Sequence, residues 1–538
     1  MAAAMPRSLT PRDVREAILA PGPNGGELAL LDVRETGVFS RAHLLFAVSL
    51  PLSRLELRIV SMVPRKSVAI VLCAGAEDEC LIAGAAEKLG RFGYTDIAYL
   101  QGGIEAWRET GYELFSGVNV PSKAFGEFVE TVHGTPHIKA EALNAMKARG
   151  DDLVILDSRP MNEFRKMNIP GGIDVPGAEL AYRVGDIAPD PDTLVVVNCA
   201  GRTRSIIGAQ SLINAGIPNR VVALENGTMG WHLAGFELEQ GCERVYAENS
   251  DRGLAAARER AEAVAARFGV RRVDWKTFLE WRDDAARTTY LLDVRSPEEY
   301  RAGHPPGAKP APGGQLVQAT DEYVGVRGAR LVLTDDDGVR ATMSASWLIQ
   351  MGWDDVFVLD GSTVPAEREA GPWRPPILGI EDTTCETVSA VELKTALENG
   401  EAVVCDLAGS LAYRKGHIPG AWFTIRSRLP GNLSKLPDST VLVLTSKHGI
   451  LARLAAEEAL ASGRAVKVLD GGTDAWAAAG YPLEDGFAYM ADEPEDRWYK
   501  PYDLDEGNVE GMRQYLTWEV DLVGQIERDG TARFRSFT

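Results

Sequence analysis

The chain is poor in the residues that would staple it, clip it to a metal or anchor it. Six cysteines, at positions 73, 80, 199, 242, 385 and 405, are spread over 538 residues, with no CxxC pair among them. That spacing excludes a disulfide framework and a cysteine-based metal cluster as organising devices, so individual thiols become the objects of interest. No apolar run approaches the roughly 20 residues of a membrane span. The stretch Met1 to Leu19 has no apolar core of the length a secretory signal requires. A cytoplasmic protein without a membrane partner is expected. Positive charge is also scarce: 57 Lys and Arg stand against 77 Asp and Glu, for a formal charge of -20. Nucleic acid and anionic surfaces are therefore not expected as general partners, and a small anion would need a local basic pocket. The length exceeds one ordinary core, and at about 100 to 200 residues per domain it suggests three to five domains.

What is present is a repeat. Apolar strands ending in aspartate occur at Leu30–Asp32, Ile155–Asp157, Leu291–Asp293 and Val403–Asp406, and the first three continue as Asp-x-Arg (Arg34, Arg159, Arg295). Three copies then carry a Pro-Gly turn, at Pro170-Gly171, Pro306-Gly307 and Pro419-Gly420; the first copy has Arg41-Ala42-His43-Leu44 there, so its turn is expected to differ. A second apolar strand ends at Cys73, Cys199, Asp335 and Ser446, which are 41, 42, 42 and 40 residues after the respective aspartates. A helix follows, closed by Gly93, Gly216, Gly352 or Gly463. A third strand then leads into a glycine turn (Gly102-Gly103, Gly227, Gly361, Gly471-Gly472), followed by Trp107, Trp231 and Trp476 in three of the four. Strands alternating with helices, and strands that are apolar throughout, imply α/β domains with a parallel sheet covered on both faces and a site beyond the strand carboxyl ends.

Cys199 falls at such an end. Val195–Ile207 reads as an apolar strand, the cysteine, a short loop with Gly201, Arg202 and Arg204, and a helix opening near Ser205. Backbone amides around a sulfur at a helix N-terminus favour negative charge there. With nearby arginines a thiol pKa falls from about 8.5 to roughly 3.5 to 7.5, so a thiolate at neutral pH is expected. The loop arginines can hold anionic oxygens by charge-assisted hydrogen bonds.

The Asp-x-Arg strand end, the Pro-Gly turn, the cysteine loop before a helix and the Leu-x-x-Gly turn followed by Trp together resemble the rhodanese family of sulfurtransferases, four times over and across nearly the whole chain. The resemblance implies four tandem α/β domains, each a small parallel sheet with helices on both faces. It implies Cys199 as the catalytic residue and Ala200, Gly201, Arg202, Thr203, Arg204 and Ser205 as its substrate-binding loop. The family takes sulfane sulfur from a donor such as thiosulfate onto the loop cysteine and passes the persulfide sulfur to cyanide or a thiol, with no metal or organic cofactor. The loop departs from the family's usual pattern in placing glycine two, not three, positions after the cysteine. A two-step covalent scheme of this kind predicts ping-pong kinetics.

The expected organisation is a first domain over residues 1–120, a catalytic second domain over 121–245, a third over 246–375, a fourth over 376–486 and a C-terminal extension over 487–538. Cys73 is surrounded by Glu77, Asp78 and Glu79, which should raise its pKa and repel an anionic donor. Asp335 and Ser446 replace the nucleophile, so the third and fourth copies are expected to be inactive. Asp157, Arg159 and Glu163 read as local ion-pair and turn residues, and the tryptophans as core. Cys242, Cys385 and Cys405 read as packing residues, and Cys80 either as packing or as a resolving thiol for Cys73. Residues 251–269 should form a linking helix, 117–137 and 363–380 linkers, and Asn508–Ile526 a helix. The tail aromatics either pack on the body or line a subunit interface, which leaves a homo-oligomer open. Two other functions compete: a sulfur-storing or sensing scaffold with degenerate copies, and a cysteine phosphatase, which the Cys-x4-Arg spacing disfavours because phosphatases use Cys-x5-Arg.

Overall fold

The computed structural model describes residues 5–20, 26–503 and 508–537. They form four five-stranded sheets of one topology, in which the first strand in sequence lies beside the fifth, followed in space by the fourth, second and third. In the second copy the strands are His137–Ile138, Leu153–Asp157, Ile173–Asp174, Leu194–Asn198 and Val221–Leu224, all paired in parallel. The three strands expected per copy are the central ones. The two others are edge strands of two or three residues, too short to carry a hydrophobic period.

Alternate residues of strand Leu194–Asn198 serve different faces of the sheet. Val195 and Val197 pack with Leu180, Val184, Ala209 and Leu212 on one side. Val196 packs with Leu143, Ile155, Val222 and Trp231 on the other. This two-sided cover is why the strand is apolar throughout. Trp107, Trp231 and Trp476 are core residues as expected, and each indole donates at 2.8 Å to the backbone carbonyl six residues on, of Glu113, Glu237 and Pro482. Each thereby ties the last helix of its copy to the segment that leaves it.

The Asp-x-Arg pairs are structural. Arg159 holds both carboxylate oxygens of Asp157 at 2.8 and 2.7 Å and donates to Met167 O at 2.6 Å, with both residues buried. The glycines expected at helix ends all adopt positive φ, from 68° at Gly216 to 94° at Gly352. The first copy's turn closes with the same hydrogen bond as the others, Ala47 N to Leu44 O at 3.0 Å against Gly172 N to Ile169 O at 2.9 Å. It differs in having no glycine at positive φ, where Gly171 has φ 79°.

The linking helix is Asp251–Phe268, capped by Ser250 and ended at Gly269; the tail helix is Asn508–Asp529. The reading of 117–137 as a linker is corrected. Val120–His133 is a helix, with Pro in its first turn and Gly134 at its end, signals that outweigh the region's Pro and Gly content. The chain divides into two compact units. One joins residues 5–11, 30–118 and 375–499, and the other joins 12–20, 26–29, 119–374, 500–503 and 508–537.

Candidate active site

Strand Leu194–Asn198 is buried at every position and delivers Cys199 to its carboxyl end, where helix Thr203–Asn214 begins. The loop between them is clamped from behind by the glycine turn. Thr228 N donates to Cys199 O at 2.8 Å and Met229 N to Ala200 O at 3.0 Å. Gly227 has φ 55°, and a Cβ on it would stand 2.3 Å from Cys199 O, so no other residue permits this approach. Gly103 and Gly472 clamp the first and fourth loops in the same way. The Leu-x-x-Gly pattern is thus the brace of the loop.

Cys199 is buried, with its Sγ 3.5 Å from Ser205 Oγ, to which the thiol donates. Ser205 Oγ in turn donates to Arg202 O at 2.8 Å. The expectation of a lowered thiol pKa is not met in this arrangement. Burial pushes the Cys199 thiol up, and Arg204 and the Ser205 contacts only partly offset it.

Both loop arginines are engaged. Arg204, itself buried, pairs with Glu163 at 2.7 Å and donates to Gln315 Oε1 at 3.1 Å. Arg202 holds both oxygens of Glu127 at 2.7 Å and also pairs with Glu130. Burial opposes ionisation of Glu163, but Arg204 and Lys500 together bring it to about 2. The third copy repeats the pair without a thiol, as Arg340 meets Glu299 at 2.7 Å. The arginine-carboxylate pair is therefore part of the loop's construction and not two free guanidinium groups awaiting a donor.

In each of the other three copies a side-chain oxygen accepts from the loop amides. In the third copy the Asp335 carboxylate accepts from Gly338 N at 2.6 Å and Ala341 N at 3.1 Å. In the first, Asp78 accepts from Gly75 N at 3.1 Å. In the fourth, Ser446 Oγ accepts from Ala452 N at 3.3 Å. Cys73 is buried, and its thiol is pushed far up, by burial first and by Asp32 second; the loop carboxylates are not the chief cause. Cys80 is exposed, so the packing role does not hold for it, whereas Cys405 is buried and Cys385 packs against the fourth copy's core.

The C-terminal tail covers the Cys199 loop. Met512 and Leu516 of helix Asn508–Asp529 pack with Ala200 and Met229, joined by Leu233, Tyr502 and Tyr515. Glu519 accepts from Tyr515 OH at 2.7 Å and from Thr203 Oγ1 at 3.3 Å, and its second oxygen lies 3.1 Å from the place of a Cβ on Gly201. Burial raises the Glu519 carboxyl and pulls the neighbouring Lys123 ammonium down to about 8. Lys123 sits above the rings of Trp518 at 4.7 Å and Tyr515 at 5.3 Å. Lys500 is 3.5 Å from Glu163. These tail aromatics pack on their own chain.

Glu127, Glu130, Lys123, Gln315, Lys500 and Glu519 were not identified from the sequence. The first three lie on the helix read as a linker, and the proline and glycine that bound it were the available signal. The other three come from far along the chain, and no local pattern marks them. Among the described residues no group of His, Cys, Asp and Glu is arranged to hold a metal ion, and no helix is long and apolar enough to cross a membrane.

A model of the rhodanese-like domain matches residues 16–110, 139–234, 275–365 and 389–479. The crystal structure of a thiosulfate sulfurtransferase from Pseudomonas aeruginosa is similar over 98% of this chain and 99% of that one, with 50% sequence identity and a TM-score of 0.93. An HTH-type transcriptional regulator of Mycobacterium tuberculosis is 31% identical over 103 residues, 19% of this chain. The chain spans 44% of the length of that curated relative.

Proposed function

The chain belongs to the rhodanese family and is a transferase of that type; from that premise we propose that it moves sulfane sulfur from thiosulfate through a persulfide on Cys199 to cyanide or a thiol. The observation that carries this reading is the unequal fate of four equivalent loops: only the one with Cys199 combines a thiol, the clamped amides and a paired arginine beside the sulfur. The Cys199 thiolate attacks the outer sulfur of thiosulfate. The new S–S bond forms as the old one breaks, and sulfite leaves with the electron pair. A nucleophile then attacks the outer sulfur of the persulfide and returns the thiolate, giving thiocyanate from cyanide or a persulfide from a thiol. Each transfer is balanced without an added oxidant or reductant.

Backbone amides of residues 200–204 cradle the sulfur anion. Arg204 acts on it electrostatically while bound to Glu163, and Lys500 and Lys123 add positive charge above the loop. Donor entry requires the tail helix to move off Ala200 and Gly201. That movement also takes the Glu519 carboxylate, one of the groups that raise the thiol pKa, away from Cys199, so opening favours the thiolate. A cytoplasmic setting, where free thiols stay reduced, belongs to the same reading.

The test is treatment with thiosulfate followed by mass spectrometry of the peptide that contains Cys199, then turnover with cyanide. One added sulfur and steady turnover are expected, both lost in Cys199→Ser and both kept in Cys73→Ser. An adduct without turnover would point to sulfur storage, and no adduct would overturn the reading.

A further inference from the structure

The fourth copy has lost more than its nucleophile. Cys199, Arg204 and Glu163 correspond to Ser446, Leu451 and Ala412 by their distances from the repeat's aspartate and loop. Where the second and third copies fill the space beside the loop with an ion pair, the fourth has two small or apolar side chains and a cavity of about 490 Å³. Leu57, Leu411, Ile450 and Leu451 give it apolar walls, and Ser446 lines it too. Arg54 and Arg497 border it too, brought from outside the repeat's own loop.

Among the described residues neither Arg54 nor Arg497 has a carboxylate within ion-pair distance, and Arg497 Nε is buried without a hydrogen-bond partner. Glu35 is the acid that feels Arg54, and its oxygens already accept from Ser53 at 3.1 Å and Ser427 at 3.0 Å. One carboxylate also lines the cavity. Asp496 accepts from Ser410 N at 2.9 Å through one oxygen, while the other is buried and unpartnered. Lys447 and His448 are held by Asp474, at 3.0 and 2.8 Å.

We propose that this cavity is a non-covalent binding site for an organic anion, with a carboxylate or sulfonate head between Arg54 and Arg497 and an apolar body against Leu57, Leu411 and Leu451. Guanidinium groups suit such planar or tetrahedral heads. The volume is in the range of sites for small organic ligands, about 300 to 1,000 Å³, and is far larger than a bare oxoanion needs. The unpartnered oxygen of Asp496 suits a ligand that also offers a donor. Without a thiol the site stores no sulfur. Its ligand is held and released, a function distinct from the transfer at Cys199.

The test is calorimetric titration of the full chain with naphthalene-2-sulfonate, naphthalene-2-carboxylate and, as a head without a body, sulfate. One saturable site for at least one naphthalene anion is expected, with sulfate at least tenfold weaker. Arg54→Ala and Arg497→Ala should each weaken binding about tenfold, and Ala412→Leu, which fills the cavity, should abolish it. All three should keep the thiosulfate–cyanide turnover of Cys199, which serves as the check on folding. Equal affinity in the Arg54→Ala/Arg497→Ala double variant, sulfate competing as strongly as the naphthalene anions, or no saturable binding would each overturn the proposal.

Discussion

The second and fourth loops are the same backbone device carrying different side chains. Gly227 and Gly472 clamp them from behind at distances that admit no side chain, and Trp231 and Trp476 tie down the helix that carries each clamp. Loop shape therefore does not depend on the residue at the strand end. What differs is the side-chain layer. The second copy has a thiol, a buried Arg204–Glu163 pair and a helix laid over it, whereas the fourth has a hydroxyl, two short or apolar side chains and an open cavity. The third copy keeps the ion pair but fills its amides with its own Asp335. The arginine-carboxylate pair and the nucleophile are thus separable.

The largest effect expected from breaking this comparison is at the nucleophile. Cys199→Ser gives the second loop the fourth loop's residue and should reduce thiosulfate–cyanide turnover by at least about a thousandfold, the scale lost with a covalent nucleophile. The reverse change, Ser446→Cys, should add no turnover to a Cys199→Ser background, because Leu451 leaves the new thiol without its arginine. Steady-state assays of the two variants decide it; activity regained through the thiol introduced into the fourth loop would mean that the clamped loop alone suffices.

A smaller change separates construction from chemistry. Arg204→Leu copies the fourth loop's residue and strands the largely buried Glu163, and breaking such a pair costs about 3 to 5 kcal/mol. Adding Glu163→Ala should recover all but about 1 kcal/mol of that loss in denaturant unfolding. The double variant should nonetheless stay about a hundredfold down in kcat/KM, the scale of losing one charged group that acts on the reacting centre. If activity returned together with stability, Arg204 would be scaffold only.

The same pair has a pH signature. Glu163 has an ordinary value of 4.5 and is held at about 2. Because the folded value is depressed, its stabilisation is present above pH 4.5 and is lost as pH falls from there towards 2. At about 1.36 kcal/mol per pKa unit the full contribution is on the order of 3 kcal/mol. Glu163→Gln should therefore be less stable than the parent at pH 7 and nearly equal to it near pH 2. Unfolding midpoints measured across that range give the difference directly, and a constant gap would remove the ion pair from the account.

The sequence carried the repeat, the central strands and the loop cysteine because each is a local pattern: apolar runs ending in aspartate, a glycine where only glycine fits, a tryptophan at fixed offset. It did not carry the cover over Cys199, since Leu516 and Glu519 lie more than 300 positions from the loop and look like any residues of an amphipathic helix. Nor did it reveal that Arg202 and Arg204 are paired, because Glu127 lies on a helix hidden among linker signals and Glu163 is only one acid among many. A thiol pKa argued from loop charges alone omits burial, the first cause of the rise at Cys199.

That cover supplies the mildest perturbation. Leu516 is 8% exposed and packs on Ala200 beside the thiol. Leu516→Ala removes methyl groups from a contact of only a few residues, and the loss should fall at or below the low end of the 2 to 5 kcal/mol typical of buried leucine. If access to Cys199 is limited by lifting of the tail helix, even about 1.4 kcal/mol of that loss increases the open population tenfold. Alkylation of Cys199 by iodoacetamide, followed peptide by peptide, should then accelerate about tenfold. Cys73, buried in the first copy, should keep its rate and so report any general loosening of the protein. An unchanged rate at Cys199 would mean that the donor reaches the sulfur by a route that leaves the tail helix in place.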